Sequence, residues 1–311
     1  MLAFQINSFD PDKRIALNKN TSKPSPKSNQ VLVEVNSAGL NPVDKAIMAG
    51  YMKEMIHLPA TLGGDFSGVV VEVGDSVKEF IKRDKVYGQA IVLNGGSGTL
   101  AQFVAANVGN TARQPKQISF IEAASLPLAG ASALQALEDL IKLKAGQKIL
   151  IHGGAGGIGS LAVQIAKNLG AYVAATVGVK DFEYVKKLGA DMVIDFRKEK
   201  FEEILKDYDA VFDTAGGEIT NRSFRVLKSG GVLVSMITSP DQELAKKYNV
   251  TALIIMTNTD TQKLNHLAEL VDAGKVKPQV DKVFPIAQIM DAFKHLSEGH
   301  PRGKVVIKIK E

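Results

Sequence analysis

The chain has 311 residues, a formal net charge of +5 and no cysteine. The length suggests about two domains. The absence of cysteine excludes disulfides, thiolate nucleophiles and thiolate metal ligands. Its start lacks the basic and apolar regions of a signal peptide, and no run approaches the ~20 apolar residues of a membrane span. We therefore expect a cytoplasmic protein without a membrane partner. Lysines interleave with acids, as in Lys198-Glu199-Lys200, which is typical of a solvated surface and does not favour a nucleic-acid partner.

The first third of the chain predicts short strands. Apolar or alternating runs occur between glycine- and proline-rich connections, over residues 31–35, 69–73, 85–90 and 100–105. Such runs are typical of a compact antiparallel unit. A helical segment is predicted over 121–140, with an interruption near Pro127.

The stretch over 148–169 combines an apolar run, a glycine-dense turn and an amphipathic helical pattern. Its turn contains G-x-G-x-x-G, made by Gly154, Ala155, Gly156, Gly157, Ile158 and Gly159. Glycines let the backbone turn tightly beside a pyrophosphate, whose charge is favoured by the N–H groups that begin the next helix. Because a strand precedes the turn and a helix follows it, this context predicts a dinucleotide site rather than an ordinary loop.

After the turn, strands and helices alternate regularly. Strands are predicted over 172–176, 192–194, 210–212 and 232–236, and helices over 181–188, 201–206 and 222–227. This alternation predicts parallel strands with right-handed crossovers, and so a doubly wound α/β sheet. An edge strand over 253–256 and helices over 261–273 and 287–296 follow. The last strand, over 304–309, breaks the alternation, and we expect it to return to the N-terminal β unit.

The strand after the glycine turn favours NADP over NAD. Enzymes that prefer NAD usually carry an acid roughly 20 residues past the turn, where it binds the ribose 2′-hydroxyl. No Asp or Glu occurs between residues 161 and 180. Instead Thr176, Gly178, Val179 and Lys180 offer a hydroxyl, a position for close approach and a cation for a 2′-phosphate. The alternative interpretation of Lys180 is a solvated lysine at a helix start.

Four blocks together resemble the medium-chain dehydrogenase/reductase superfamily, and within it the zinc-independent quinone oxidoreductase and enone reductase branch. They are Asn-Pro-x-Asp at 41–44, Gly-x-Asp-x-x-Gly-x-Val at 63–70, the segment at 123–130, and Arg-Gly-Lys-Val-Val at 302–306. The resemblance covers essentially the whole chain. It implies a doubly wound Rossmann sheet inserted into a GroES-like β-barrel catalytic domain, with a homodimer as the assembly. The implied boundaries are 1–121 and 259–311 for the catalytic domain, and 122–258 for the NADP-binding domain.

The departures from the zinc alcohol dehydrogenases predict no metal. Those enzymes carry a cysteine ligand where this chain has Asn41, and Gly-His-Glu where it has Gly64-Asp65-Phe66. Catalytic zinc needs three N, S or O ligands around an open position, and the five histidines show no such spacing. Without a Lewis acid the substrate must accept hydride unaided, as quinones and α,β-unsaturated carbonyls do by delocalising the electron pair onto oxygen.

The resemblance also implies site residues. It places Asn41 and Tyr51 near the nicotinamide and substrate, where Tyr51 or solvent supplies the final proton; the alternatives are a turn residue before a proline and a half-buried aromatic. The further NADP(H) contacts are taken from the resemblance and from the carboxyl ends of the parallel strands, and are Ser132, Phe196, Ala215, Gly216, Ile237, Gly303 and Lys304. Asp44 and Asp65 are expected to bond the local backbone.

The main hypothesis is an NADPH-dependent, zinc-independent oxidoreductase that transfers hydride to quinones or α,β-unsaturated carbonyls. Two alternatives stay open on the sequence. One is a non-catalytic NADPH-binding protein with a regulatory or RNA-binding role, and the other is an alcohol dehydrogenase, against which the missing ligands argue.

Overall fold

The computed structural model describes residues 1–10 and 15–310, which divide into two compact units. The first unit contains residues 1–131, 259–272 and 278 onward, and the second contains 132–258 and 273–277. Each unit has its own sheets and its own buried apolar core.

The first unit is built on two sheets. The smaller one has the strand order β2-β1-β4, from β1 (Ala3–Ile6), β2 (Ile15–Asn18) and β4 (Ala60–Thr61). The larger has seven strands, which are β3 (Gln30–Gly39), β5 (Asp65–Val73), β6 (Lys85–Gln89), β7 (Phe103–Asn107), β8 (Thr111–Arg113), β15 (Val280–Pro285) and β16 (Lys304–Lys308). Its order is β15-β16-β3-β5-β6-β8, and β7 also pairs with β3.

The final strand returns to the N-terminal part of the chain, as its position outside the α/β alternation predicts. β16 pairs antiparallel with β3, with Ile307 opposite Ala38. Buried residues of these strands, among them Val33, Val35 and Ile307, form one apolar core with Phe66 of β5. This pairing brings residues from both ends of the chain into one sheet.

The helices of the first unit are α1 (Pro42–Met48), α2 (Phe120–Ala124), α9 (Thr261–Asp272), α10 (Ile289–Glu298) and the first part of α3 (Pro127–Leu134). The interruption expected near Pro127 separates α2 from α3. The division between the units falls inside α3, after Ala131, and so later than the boundary expected after residue 121. The reason is that α2 packs against β3 and β5 of the first unit.

The second unit carries a sheet of six parallel strands in the order β11-β10-β9-β12-β13-β14. They are β9 (Lys148–His152), β10 (Tyr172–Val177), β11 (Met192–Asp195), β12 (Tyr208–Asp213), β13 (Leu227–Ser235) and β14 (Thr251–Ile254). Between them run α4 (Gly157–Asn168), α5 (Phe182–Lys187), α6 (Phe201–Ile204), α7 (Glu218–Arg222) and α8 (Gln242–Tyr248). The predicted doubly wound sheet is confirmed. Its order reverses around β9, where such sheets bind ligands outside the strands' carboxyl ends.

Several predicted boundaries are wrong, among them the following. The strand expected from residue 100 begins at Phe103, because the backbone of Leu100 instead bonds Phe4 and Leu62 of the first unit, at 2.8 and 2.9 Å. The helix expected over 222–227 is the end of α7 followed by a 3₁₀ turn, and β13 already begins at Leu227. The strand expected over 253–256 is β14, two residues earlier in the chain. Within the described residues, no helix is long and apolar enough to cross a membrane.

Candidate functional site

The glycine turn follows β9 and leads directly into α4. The carbonyl oxygen of Thr176 in β10 accepts hydrogen bonds from the N–H groups of Gly153 and Gly154, at 3.1 and 3.3 Å. Gly153 adopts a left-handed φ of +70°, and a Cβ on Gly159 would lie only 2.1 Å from the Gly153 carbonyl oxygen. The turn is therefore held by the neighbouring strand, and its close contact with α4 requires glycine.

Gly156 differs from these glycines, since neither its backbone nor its protein neighbours require it. Its φ is −75°, and a Cβ built there would meet only the carbonyl oxygen of Gly153, at 3.5 Å. It is also the N-cap of α4 and has no side chain to satisfy the N–H groups that begin the helix. The turn thus leaves space and hydrogen-bond donors for an anion, which fits the pyrophosphate of a dinucleotide.

Ala155, Gly157 and Ile158, the other predicted contacts in this turn, surround the same helix start. All three are partly exposed, and Gly157 is the first residue of α4. Their position suits backbone contact with a phosphate at the helix N-terminus.

Thr176 forms a buried chain of hydrogen bonds with His152 and Ser223. The Ser223 hydroxyl donates to the carbonyl oxygen of Ile219 at 2.7 Å, so it accepts from Nε2 of His152 at 2.9 Å. Nδ1 of His152 then accepts from the Thr176 hydroxyl, also at 2.9 Å. Burial lowers the pKa of His152 to about 4, which keeps the ring neutral. The Thr176 hydroxyl therefore has a partner inside the unit, and its contact with a cofactor stays a prediction.

Exposed apolar and cationic side chains lie after β10 and β11. Gly178 follows β10, and a Cβ on it would lie 3.9 Å from the ring of Phe196, the residue after β11. Val179, Lys180 and Phe196 are all exposed. The guanidinium of Arg197, which sequence reasoning missed, lies 5.3 Å from the centroid of the Phe196 ring. An aromatic face with a guanidinium beside it, next to the strand end that precedes Lys180, suits an adenosine that carries a phosphate.

The turn after β12 is organised by the buried carboxylate of Asp213. Its Oδ1 accepts from the N–H groups of Ala215 and Gly216, both at 2.9 Å, and its Oδ2 accepts from the Thr220 hydroxyl at 2.5 Å. The N–H groups of the predicted residues Ala215 and Gly216 thus already donate hydrogen bonds within this turn. Ile237, after β13, is largely exposed, as an apolar contact with a ligand requires.

In the first unit, three polar side chains from three separate segments meet in a buried cluster. Nδ2 of Asn41 donates to Oδ2 of Asp65 at 2.9 Å. The ammonium of Lys304 donates to the carbonyl oxygen of Leu40 at 2.7 Å, to Oδ1 of Asn41, and to Oδ2 of Asp65 at 3.4 Å. Asn41 is 3% exposed, Lys304 6% and Asp65 0%. Burial raises the pKa of Asp65, and the Lys304 ammonium opposes that shift.

Asp65 was expected to bond the local backbone, and this expectation is wrong. Its carboxylate bonds the side chains of Asn41 and Lys304, and its Oδ1 accepts from the N–H of Leu128 at the start of α3, at 3.2 Å. Lys304 was predicted as a cofactor contact, but its ammonium has three acceptors inside the protein. A contact between Lys304 and a cofactor stays a prediction.

Asp44 is a second buried carboxyl group beside this cluster. Its Oδ2 accepts from the N–H of Asn41 at 2.8 Å and completes a capping box at the start of α1. Its Oδ1 makes no hydrogen bond of ordinary geometry with any residue that the structure describes. Burial raises the pKa of Asp44 to about 7, Asp65 adds to the shift, and Lys304 and the backbone at Asn41 and Gly63 oppose it. Asp44 thus binds a proton at mildly acidic pH and releases it as the pH passes about 7.

The remaining predicted residues have varied surroundings. Tyr51 is 85% exposed, so solvent reaches its phenol and no packing fixes its orientation. The Ser132 hydroxyl is buried and shares a hydrogen bond of 2.7 Å with the Thr257 hydroxyl. Gly303 has a φ of +89°, and a Cβ there would lie 2.3 Å from the carbonyl oxygen of Gln279. Packing within the first unit is thus enough to require glycine at position 303.

Two known families match large parts of the chain. The alcohol dehydrogenase GroES-like domain matches residues 27–116, and the family described as zinc-binding dehydrogenase matches residues 188–307. Across the described ranges, 1–10 and 15–310, the side chains form no group of three or more His, Asp or Glu that could hold a metal ion.

Curated relatives and solved structures extend the match to the whole chain. A 2-methylene-furan-3-one reductase from Solanum lycopersicum and a chloroplastic NADPH-dependent alkenal/one oxidoreductase from Arabidopsis thaliana are each 37% identical, over 99% of this chain and 79% of the relative. The structure of a quinone oxidoreductase from Coxiella burnetii superposes with a TM-score of 0.91 and 34% identity, covering 100% of this chain and 99% of that one. The chain therefore belongs to the medium-chain dehydrogenase/reductase superfamily, where its relatives include quinone and enone oxidoreductases.

Proposed function

We propose that the protein is an NADPH-dependent reductase of α,β-unsaturated carbonyl compounds or quinones. The observation that carries this proposal is the 37% identity, over 99% of the chain, to a relative named as an NADPH-dependent alkenal/one oxidoreductase. The likeness to a quinone oxidoreductase structure supports the same class of acceptor.

The second unit supplies residues that fit NADPH. The turn at Gly156 and the first N–H groups of α4 would hold the pyrophosphate. Phe196 would stack on the adenosine, and the cations of Lys180 and Arg197 would face the 2′-phosphate. An acidic residue between positions 161 and 180 would select the ribose hydroxyl of NAD, and this segment contains no Asp or Glu.

Bound NADPH supplies the hydride. The protein's part is to orient the acceptor and to stabilise the negative charge that develops on its carbonyl oxygen. We assign the amide of Asn41 to that oxygen. We assign the exposed phenol of Tyr51, or solvent in its place, to the proton that completes the reduction. We also propose that the reaction needs no zinc, since Asn41 and the Asp65-Phe66 pair stand where zinc relatives carry ligands.

A screen of absorbance at 340 nm with NADPH tests the proposal, using short enones and alkyl-substituted quinones as acceptors. We expect acceptor-dependent oxidation that is faster with NADPH than with NADH and unchanged by prior dialysis against EDTA. No oxidation above the blank with either panel, despite measurable NADPH binding, would refute the reductase assignment. Turnover that EDTA abolishes and zinc restores would instead favour the alcohol dehydrogenase alternative.

We further propose a homodimer and a cytoplasmic location. The dimer rests on the family resemblance, and light scattering after size-exclusion chromatography tests it, since a monomer mass would overturn it. Fractionation of cells that express the untagged protein tests the location, and enrichment in an organelle or in membranes would overturn it.

A further inference from the structure

The buried cluster in the first unit fixes which way the Asn41 amide points. An ammonium can only donate hydrogen bonds and an ionised carboxylate can only accept them. Lys304 therefore faces the amide oxygen, and Asp65 faces the amide nitrogen at 2.9 Å. A flipped amide would place its N–H groups against the ammonium and its oxygen against the carboxylate. The cluster thus excludes the alternative orientation.

These contacts use only part of the hydrogen-bonding capacity of the amide. Nδ2 carries two hydrogens, and Asp65 takes one of them. Beside Nδ2 lies Gly64, where a Cβ would fit at 3.9 Å from the nitrogen, so no side chain of that residue covers the second hydrogen. The Lys304 ammonium on the amide oxygen draws electrons from the nitrogen toward the oxygen, which strengthens the remaining N–H as a donor. The Asp65 carboxylate on the other N–H fixes the direction in which that donor points.

Stability alone does not explain the cluster. The desolvation free energy of a buried ammonium and carboxylate is about as large as the free energy of their attraction. Well-packed apolar residues in their place often stabilise a fold equally well. Here the ion pair joins β5 to β16, which already lie in one sheet with β3 between them. The additional partner of both ions is the side chain of Asn41.

We propose that Lys304 and Asp65 are positioning residues that hold and polarise the Asn41 amide, so that its second Nδ2–H donates to the carbonyl oxygen of the substrate. This inference rests on the proposed function, because the oxygen is that of the enone or quinone. It adds two residues to the site, neither of which touches the substrate.

The kinetic test is a double-mutant cycle between positions 41 and 65. N41A lowers kcat/KM for an enone by about 100-fold, and D65N lowers it by about tenfold because the amide loses the acceptor that fixes its orientation. The double variant N41A/D65N stays within about threefold of N41A, because Asp65 acts through Asn41. The Kd of NADPH, measured by fluorescence titration, stays within about twofold in all three variants. K304R keeps the cation and retains more activity than K304M.

A matched control removes a carboxylate elsewhere in the first unit. Asp84 accepts a hydrogen bond from Arg113 at 3.0 Å and lies outside the cluster, so D84N leaves kcat/KM unchanged. Independent losses that multiply to about 1000-fold in N41A/D65N would overturn the proposal. So would losses in D65N and K304M that follow their melting temperatures, with K304R no better than K304M.

Nuclear magnetic resonance gives a readout that needs no turnover. The side-chain amide of Asn41 is assigned as the ¹H–¹⁵N pair that N41A lacks. In the wild type its two hydrogens have widely separated shifts, and one is protected from exchange by Asp65; D65N brings the shifts together. Two hydrogens with similar shifts and fast exchange in the wild type would overturn the positioning. A wild type with this signature but no reductase activity would instead refute the proposed function.

Discussion

The substitution Asp44→Asn tests the charge state of the buried carboxyl group beside the cluster. In the wild type the Asn41 N–H donates a hydrogen bond to Oδ2 of Asp44 at 2.8 Å. Asn retains the shape of the Asp side chain and an oxygen that can accept this bond. It removes the titration of a group whose pKa burial raises from 3.8 to about 7. Asp65 faces Asp44 from β5 and Lys304 faces it from β16, and both remain in the variant.

The sign and size of the effect follow from proton linkage. An acid with a raised pKa in the folded state binds a proton that the unfolded chain releases, so unfolding free energy is lost as pH rises from about 4 to about 7. At about 1.4 kcal/mol for each pKa unit, the shift from 3.8 to about 7 amounts to about 4 kcal/mol. About 3 kcal/mol of that loss falls between pH 5 and pH 8.

Urea unfolding followed by far-ultraviolet circular dichroism measures the effect at pH 5, 6, 7 and 8. The unfolding free energy of D44N, relative to the wild type, rises by about 3 kcal/mol across this range. Comparing the two proteins at each pH cancels the carboxylates with lowered pKa values, such as Asp191 and Asp260. A difference that stays constant with pH would show that Asp44 is already ionised at pH 5 and would refute the reasoning.

Further predictions concern the second unit. K180Q and R197Q each raise the Kd of NADPH about tenfold and leave that of NADH unchanged, because each removes a charged partner of the 2′-phosphate; fluorescence titration measures both. G156A weakens NADPH binding but changes stability by less than about 1 kcal/mol. G159A lowers the unfolding free energy by about 1–3 kcal/mol, since its Cβ would lie 2.1 Å from a carbonyl oxygen. T176V destabilises the protein by about 1–3 kcal/mol through an unsatisfied histidine nitrogen and leaves the NADPH-to-NADH preference unchanged.

Three results would contradict these predictions most directly. Equal losses for NADPH and NADH in R197Q would show that the guanidinium does not reach the 2′-phosphate. Unchanged NADPH binding in G156A would show that the space beside that glycine does not hold the pyrophosphate. A changed cofactor preference in T176V would assign its hydroxyl to the ligand rather than to His152.

Local patterns in the sequence predict much of the fold. The order of apolar run, glycine turn and amphipathic helix over 148–169 predicts β9, the turn and α4, because all three depend on residues close together in the chain. The regular alternation that follows predicts the parallel sheet. The position of the last strand outside that alternation predicts its return to the N-terminal β unit. It does not predict that the partner strand there is β3.

The interior of the candidate site could not be predicted in the same way. Lys304 lies 263 positions after Asn41, and only the folded sheet shows that its ammonium points inward. The place of Thr176 in the chain predicts a cofactor contact, but it gives no sign that the hydroxyl also bonds His152, 24 positions away. The one available signal was that the Asn-Pro-x-Asp, Gly-x-Asp and Arg-Gly-Lys blocks each contribute one member of the cluster.

Transfer of deuterium from NADPH to an enone tests the proposed hydride transfer most directly. The protein is given NADPH that carries deuterium at the reactive C4 position, together with but-3-en-2-one, and the product is analysed by mass spectrometry. Both C4 hydrogens are deuterated, so the facial choice of the enzyme does not affect the result. We expect butan-2-one with one deuterium on the former β-carbon. Unlabelled butan-2-one, or no consumption of NADPH with either this enone or a quinone, would contradict the proposed hydride transfer.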